Sequence, residues 1–185
     1  MNKTSARIIG EYEKTKDWLS AYKKIPANLR EMYVSAYQSY LWNECVREAL
    51  RKTVDSKYLY TIEYNIGSLL FYKRLSDEEM EKMPKTFQTI SPDMKPTESE
   101  KPIIEKVLSK EGIGLPDFDI RKETGNFFKS NERAVIIKPG DFRIEGPFRD
   151  ELNDKGRSKS FKMIVSFALP KGSYATIVTK RLFNR

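Results

Sequence analysis

Residues 161–185 read FKMIVSFALPKGSYATIVTKRLFNR. The opening seven alternate as a β-strand does. Phe161, Met163, Val165 and Phe167 share one face, and Lys162, Ile164 and Ser166 share the other. The run ends at Leu169-Pro170. A Gly172-Ser173 turn then sets Tyr174 at the foot of a short hydrophobic element, Thr176 to Phe183, whose pattern fits a final helix or another strand. From Lys155 onward there are eight Lys or Arg and no Asp or Glu. An aromatic on a sharp turn beside concentrated positive charge suggests a surface for a nucleic-acid base and its phosphates.

The charge of the whole chain points the same way. The net formal charge is +8, divided as +2 over residues 1–50, zero over 51–130 and +6 over 131–185. An excess gathered in the last third favours an anionic partner over an evenly solvated lysine surface. A basic amphipathic membrane helix fits this region less well, because the region alternates like a strand. With 39% hydrophobic and 12% aromatic residues, a chain of 185 residues is polar but globular, enough for one domain or a domain with a subdomain. No apolar run approaches the roughly 20 residues that cross a bilayer. The first residues, MNKTSARIIGEYEK, hold no signal-peptide core. Cys45 is the single cysteine, which excludes an internal disulfide and fits a cytoplasmic protein. Without histidine, zinc sites and His-based nucleophile triads are excluded.

Upstream, residues 4–22 have helical spacing, with Ile8, Ile9, Tyr12, Leu19 and Tyr22 as the apolar positions. After Pro26, Asn28 is placed to cap a long helix over about 29–52, with Glu31 as capping-box partner. Leu29, Met32, Tyr33, Ala36, Tyr37, Tyr40, Leu41, Val46 and Leu50 form its expected core stripe. Gln38, Ser39 and Asn43 flank that stripe, able either to bond buried backbone or to face a site. YLYTIEY and SLLFYKRL read as strands joined through Asn65-Ile66-Gly67. Residues 76–100 read as a loosely structured excursion in which Asp77-Glu78-Glu79 resembles the first turn of a helix. A short helix follows Pro102 and ends at Gly112. Residues 113–130 are irregular, RAVIIK (133–138) is a strand and 147–159 a charged loop. The order of elements gives an α+β class: a mixed, mainly antiparallel sheet with flanking helices, interrupted by an insertion.

No G-x-x-x-x-G-K-[ST], G-x-G-x-x-G or G-x-S-x-G is present, so phosphate-loop, dinucleotide and serine-hydrolase chemistry have no support. Neighbouring carboxylates such as Asp117/Asp119 and Asp150/Glu151 read as solvated loop charges rather than acid–base pairs.

Two stretches carry more. One is REMYVSAYQSYLWN, residues 30–43; the other is LPKGSYAT, residues 169–176. Both resemble segments of the TruD family of pseudouridine synthases. That family has a helix of the type LR-x-x-Y-x-S-A-x-Q-S-x-L-x-N and a C-terminal stretch S-F-x-L-P-x-G-[SC]-[YF]-A-T. Leu29, Arg30, Tyr33, Ser35, Ala36, Gln38, Ser39, Leu41 and Asn43 match the first. Ser166, Phe167, Leu169, Pro170, Gly172, Ser173, Tyr174, Ala175 and Thr176 match the second.

The resemblance implies a reaction class: uracil is detached from its ribose, rotated and rejoined through carbon within RNA. It implies an essential aspartate, neither cofactor nor metal, and RNA, foremost tRNA, as partner. It implies that Tyr174 packs against the target base, supported by Gly172, Ser173 and Thr176; the concentrated positive charge of the segment adds Lys159, Lys162, Lys171, Lys180 and Arg181 as expected RNA contacts. It also divides the chain: 1–54 as the helical part of a catalytic domain, 55–130 as an insertion subdomain, and 131–185 as the C-terminal strands and final element.

The departures are specific. The family's aspartate lies in a Gly-x-Lys-Asp motif well before the Tyr-Gln-Ser helix, and no such motif occurs here, so no residue of this chain is assigned as catalytic. Lys180-Arg181 stands where the family usually has Arg-Glu. The expectation is a C-terminal portion of such an enzyme, inactive alone and partnered by an N-terminal half. The alternatives are a non-catalytic RNA-binding module and a truncated gene product. A half sheet would expose strands such as 161–167 and favour self-association.

Overall fold

The computed structural model describes residues 3–64, 67–125, 127–154 and 159–183. Most of the proposed turn at 65–67 lies outside the described residues. The chain forms two compact units, Met1–Val135 and Ile136–Arg185.

The first unit opens with α1 (Lys3–Thr15) and α2 (Trp18–Lys23). These are two helices, not the single one that the spacing over 4–22 predicts. Lys16 adopts a left-handed φ of 54°, and Asp17 then caps α2 by accepting from the Leu19 and Ser20 amides. A capping aspartate inside an apolar-periodic run restarts the helix in a new direction.

The long helix α3 (Ala27–Thr53) starts at Pro26, and Asn28 sits inside its first turn rather than capping it. Its buried residues are Val34, Gln38, Leu41, Cys45, Glu48, Ala49 and Leu50, of which Leu41 and Leu50 belong to the expected stripe. The buried face is rotated from that stripe: Met32 and Tyr33 are exposed. Apolar side chains surround much of this helix, so period alone could not choose the face. Partners from later in the chain choose it by satisfying the two polar members.

β1 (Leu59–Tyr64) and β2 (Gly67–Tyr72) pair antiparallel, as their sequence alternation predicts. α4 (Asp77–Lys82) is held by a full capping box: Ser76 Oγ accepts from the Glu79 amide and the Glu79 carboxylate accepts from the Ser76 amide. β3 (Thr86–Gln88) follows, then α5 (Lys101–Glu111), which ends at Gly112 with φ 70°. α5 buries Ile103, Ile104, Val107 and Leu108, and packs on α3. A four-residue α6 (Arg121–Thr124) precedes β4 (Glu132–Ala134), which pairs antiparallel with β3. β4 is thus shorter than RAVIIK and begins one residue earlier. It has a partner only where Thr86–Gln88 runs alongside, with one further bond from the Val135 amide to the Lys85 carbonyl.

The second unit is a two-stranded antiparallel ribbon, β5 (Gly140–Arg149) with β6 (Phe161–Ala168), followed by α7 (Ala175–Phe183). Residues 147–149, expected in a loop, extend β5. The final element is a helix, which settles the choice that the sequence leaves open. The α+β class therefore holds, built among the described residues from three two-stranded antiparallel sheets.

Candidate nucleic-acid interface

In the second unit the chain leaves β6 at Ala168 and turns at once. The Ser173 amide donates to the Pro170 carbonyl at 3.2 Å, closing a turn in which Gly172 has φ 87°. Nothing lies within 4 Å of a Cβ built there, so glycine is required by backbone angle and not by space. The Tyr174 carbonyl accepts from the Ile177 amide at 3.0 Å, which places Tyr174 at the N-terminal edge of α7. Its ring is 60% exposed. A core tyrosine with a bonded hydroxyl would be covered; this one is presented to solvent by the turn and the helix start.

The other expected contact residues are distributed. Lys171 and Thr176 flank Tyr174 and are exposed, and Ser173 is half-buried. Lys180 and Arg181 lie in the last turn of α7, roughly 9–10 Å farther along the helix axis. Lys162 lies six strand positions before the end of β6, roughly 20 Å away along the ribbon, with Lys159 beyond it. Cations spread over such a length suit a phosphate backbone tracked along a surface more than a single enclosed anion.

In the first unit the residues of the Tyr-Gln-Ser helix do structural work. Gln38 is 5% exposed, and its amide nitrogen donates to the carbonyls of Ile90 (2.6 Å) and Lys129 (2.9 Å). It thereby ties the segment after β3 to the segment before β4. Ser39 Oγ donates to the Ser35 carbonyl and accepts from Arg133 at 3.1 Å. Arg30 donates to the Thr124 carbonyl at 3.2 Å and lies over the Tyr22 ring. Leu41 is fully buried. Of the two roles open to Gln38, the structure selects bonding of buried backbone. Tyr33 remains half exposed and lines an apolar hollow with Leu19, Tyr22, Tyr37 and Phe128.

The carboxylates are used locally. Asp17 and Asp55 cap helical turns, Asp93 accepts from Ser91, and Asp117 accepts from the Gly114 amide. Asp150 accepts from the Leu152 amide and the Asn153 side chain, and Asp154 pairs with Arg149. These bonds support the reading of Asp117 and Asp150 as loop charges. The Ser20 hydroxyl and the Ser20 and Leu19 amides hold the Asp17 carboxyl below its usual range. Among the described residues, no group of three or more His, Cys, Asp or Glu could hold a metal ion. No helix of the described residues is long and apolar enough to cross a membrane.

Two features escape sequence reasoning. Glu48 is 4% exposed and receives Lys106 and Lys110 from α5 at 2.5 and 2.7 Å, with Arg51 at 3.3 Å. Burial pushes its carboxyl up, but the hydrogen bonds and charges of the two lysines outweigh that and hold it at about 2. The second is a stack of Trp18 on Tyr12, with centroids 3.9 Å apart. The only signal for it in the sequence is a tryptophan directly after a capping aspartate in a lysine-rich segment.

Comparison with known proteins agrees with the motifs. The sequence profile of the family described as tRNA pseudouridine synthase D (TruD) matches residues 3–182. A relative in Methanocaldococcus jannaschii, named "Probable tRNA pseudouridine synthase D 2", is 40% identical over 177 residues, covering 95% of this chain and 41% of its own length. The tRNA pseudouridine synthase D of Aquifex aeolicus is 28% identical over 186 residues, covering 98% and 44%. A crystal structure of a Methanosarcina mazei protein described as "Putative tRNA pseudouridine synthase D (TruD)" superposes with a TM-score of 0.61 at 23% identity. That match covers 95% of this chain and 43% of the other, and it shows a shared fold. The chain spans about two fifths of the length of the curated relatives that it matches.

Proposed function

Because this chain belongs to the TruD family of tRNA pseudouridine synthases, we propose that it is the C-terminal portion of an enzyme that isomerises uridine to pseudouridine in RNA, with tRNA as the substrate class. The single observation that carries this reading is Tyr174, 60% exposed on a left-handed glycine turn inside the family's terminal motif. A target uracil leaves its stack to be reached, and an exposed aromatic face offsets the lost stacking by roughly 1–3 kcal/mol.

In this reading the bond between the base nitrogen and the ribose breaks, the base rotates, and a bond from base carbon to ribose forms. A proton leaves that carbon, and the freed nitrogen carries one. Atoms and electrons balance within the nucleotide, so the isomerisation consumes no co-reactant. The essential aspartate comes from a segment that matches the Gly-x-Lys-Asp motif, which no residue of this chain does. This portion contributes the Tyr174 wall and the cations Lys159, Lys162, Lys171, Lys180 and Arg181 along the RNA backbone.

The test combines the 185-residue chain with the remaining N-terminal part of the Methanocaldococcus jannaschii relative and a uridine-containing tRNA transcript. Pseudouridine is expected in the RNA. Tyr174→Ala is expected to lower its rate of formation by about tenfold or more, whereas Tyr174→Phe keeps most of it. Absence of product from the pair, together with no loss when the matching tyrosine of the full-length relative becomes alanine, would refute the assignment.

A second reading, a non-catalytic RNA-binding module, is favoured by the lack of a Gly-x-Lys-Asp motif beside a net charge of +6 in the last third. It predicts salt-sensitive RNA binding without turnover; a flat titration at low salt would remove it.

A further inference from the structure

Among the described aromatic residues, Trp18 is the most exposed, at 72%, although one face of its ring is already covered by Tyr12. The stack is nearly parallel, with 23° between the planes. Its support is built from several elements. Lys16 takes the left-handed turn between α1 and α2, and Asp17 fixes the start of α2 through Leu19, Ser20 and the Ser20 hydroxyl. Arg7 of α1 donates to the Lys24 carbonyl at the end of α2, and Lys24 pairs with Glu11 at 3.3 Å. The elbow is thus closed at both ends, and the open face of Trp18 is held in place before anything binds.

The charge around it is positive. Glu11 is neutralised by Lys24, and Asp17 spends its oxygens on the α2 cap. Glu13 and Asp17 are the remaining local acids, Asp17 keeping its charge while it caps α2. Against them stand Lys14, Lys16 and Lys23. Lys16 lies over the Tyr12 ring, and Lys23 acts on the Asp17 carboxylate.

We infer that the Tyr12–Trp18 stack is a second base-stacking platform, where an unpaired nucleobase of the RNA lies on the open face of Trp18 with its phosphates toward Lys14, Lys16 and Lys23. A flat, exposed indole already stacked on one side extends the stack by one ring without reorganisation, and every nucleobase has a π face to offer. The inference rests on the reading of this chain as an RNA-binding one. It adds a contact in the first unit that the family motifs do not name.

The test titrates the 185-residue chain with an end-labelled, unmodified tRNA transcript, following anisotropy of the label and tryptophan emission together. Trp42 is partly buried, with its indole N–H bonded to the Phe87 carbonyl, so it supplies a constant background. RNA is expected to quench the Trp18 emission. Trp18→Ala is expected to weaken binding about 5- to 100-fold with the salt slope unchanged, because stacking releases no counterions. Trp18→Phe is expected to stay within about threefold of the original and guards against a folding artefact. RNA binding that is equal in Trp18→Ala, with no quenching, overturns the inference and leaves the functional reading standing. No RNA binding by the unaltered chain overturns the inference and the non-catalytic RNA-binding reading with it, while pseudouridine formation by the reconstituted pair remains the separate test of the enzyme reading. A blue shift of Trp18 emission with phosphatidylserine–phosphatidylcholine vesicles but not with RNA would make the elbow a membrane contact and overturn it also.

Discussion

Glu48 shows how one residue can join two helices. It projects from α3, is itself 4% exposed, and meets the half-exposed Lys106 and Lys110 of α5, which cover it. Its folded pKa of about 2 lies below the ordinary 4.5. A depressed carboxylate contributes stability that is complete above pH 4.5 and is lost as pH falls from there toward 2. The lysines are half exposed, so solvent screens the interaction. Glu48→Gln should therefore cost about 1–2 kcal/mol at pH 7. The difference from the original chain should shrink steadily below pH 4.5 in urea unfolding curves. A difference that stays constant down to pH 2.5 would show that the ion pairs contribute nothing. Cys45, one turn earlier on the same face, is fully buried, and burial raises its thiol to about 12. It is a packing residue without nucleophilic character.

At the scale of elements, the β5–β6 ribbon depends on one glycine. Gly146 has φ 120°, and a Cβ there would sit 3.1 Å from the Lys162 carbonyl and 3.2 Å from the Phe148 amide. Both neighbours are backbone, which cannot swing aside as a side chain can. The ladder register also shifts between Glu145 and Phe148, so the position sits in an irregularity that makes room for glycine alone. Gly146→Ala should destabilise the ribbon by about 1–3 kcal/mol. Hydrogen exchange should then speed up at the β5 and β6 amides while α3 and α5 keep their protection. Unchanged exchange in β6 would show that the strand tolerates the strain.

For the molecule as a whole, the feature with the largest physical consequence is apolar surface on that ribbon. Ile144, Phe161 and Met163 are each more than half exposed, and Phe142 and Phe167 stack beside them on the same face. A two-stranded sheet has two open edges, and one with an uncovered apolar face associates readily. The chain in isolation should self-associate at micromolar concentration in sedimentation experiments, and Phe161→Lys with Met163→Lys should shift it toward monomer. A monodisperse monomer for the unaltered chain would show that the face is covered in solution.

Much of this was legible along the chain. Gly112 ends α5, Asp77-Glu78-Glu79 marks the first turn of α4, and alternation marks β1, β2 and β6; these signals work over a few residues. The TruD motifs were legible for the same reason, since LPKGSYAT encodes one turn and one helix start. The buried face of α3, the pairing of β3 with β4, the partners of Glu48 and the stack of Trp18 on Tyr12 were not. The sequence by itself determined where local geometry bends, caps or alternates, because those energies lie in neighbouring residues. Only the tertiary structure decided which side of α3 is inside: Gln38 and Glu48 are polar, and they can be buried only because Ile90, Lys129, Lys106 and Lys110, tens of residues away, arrive to satisfy them.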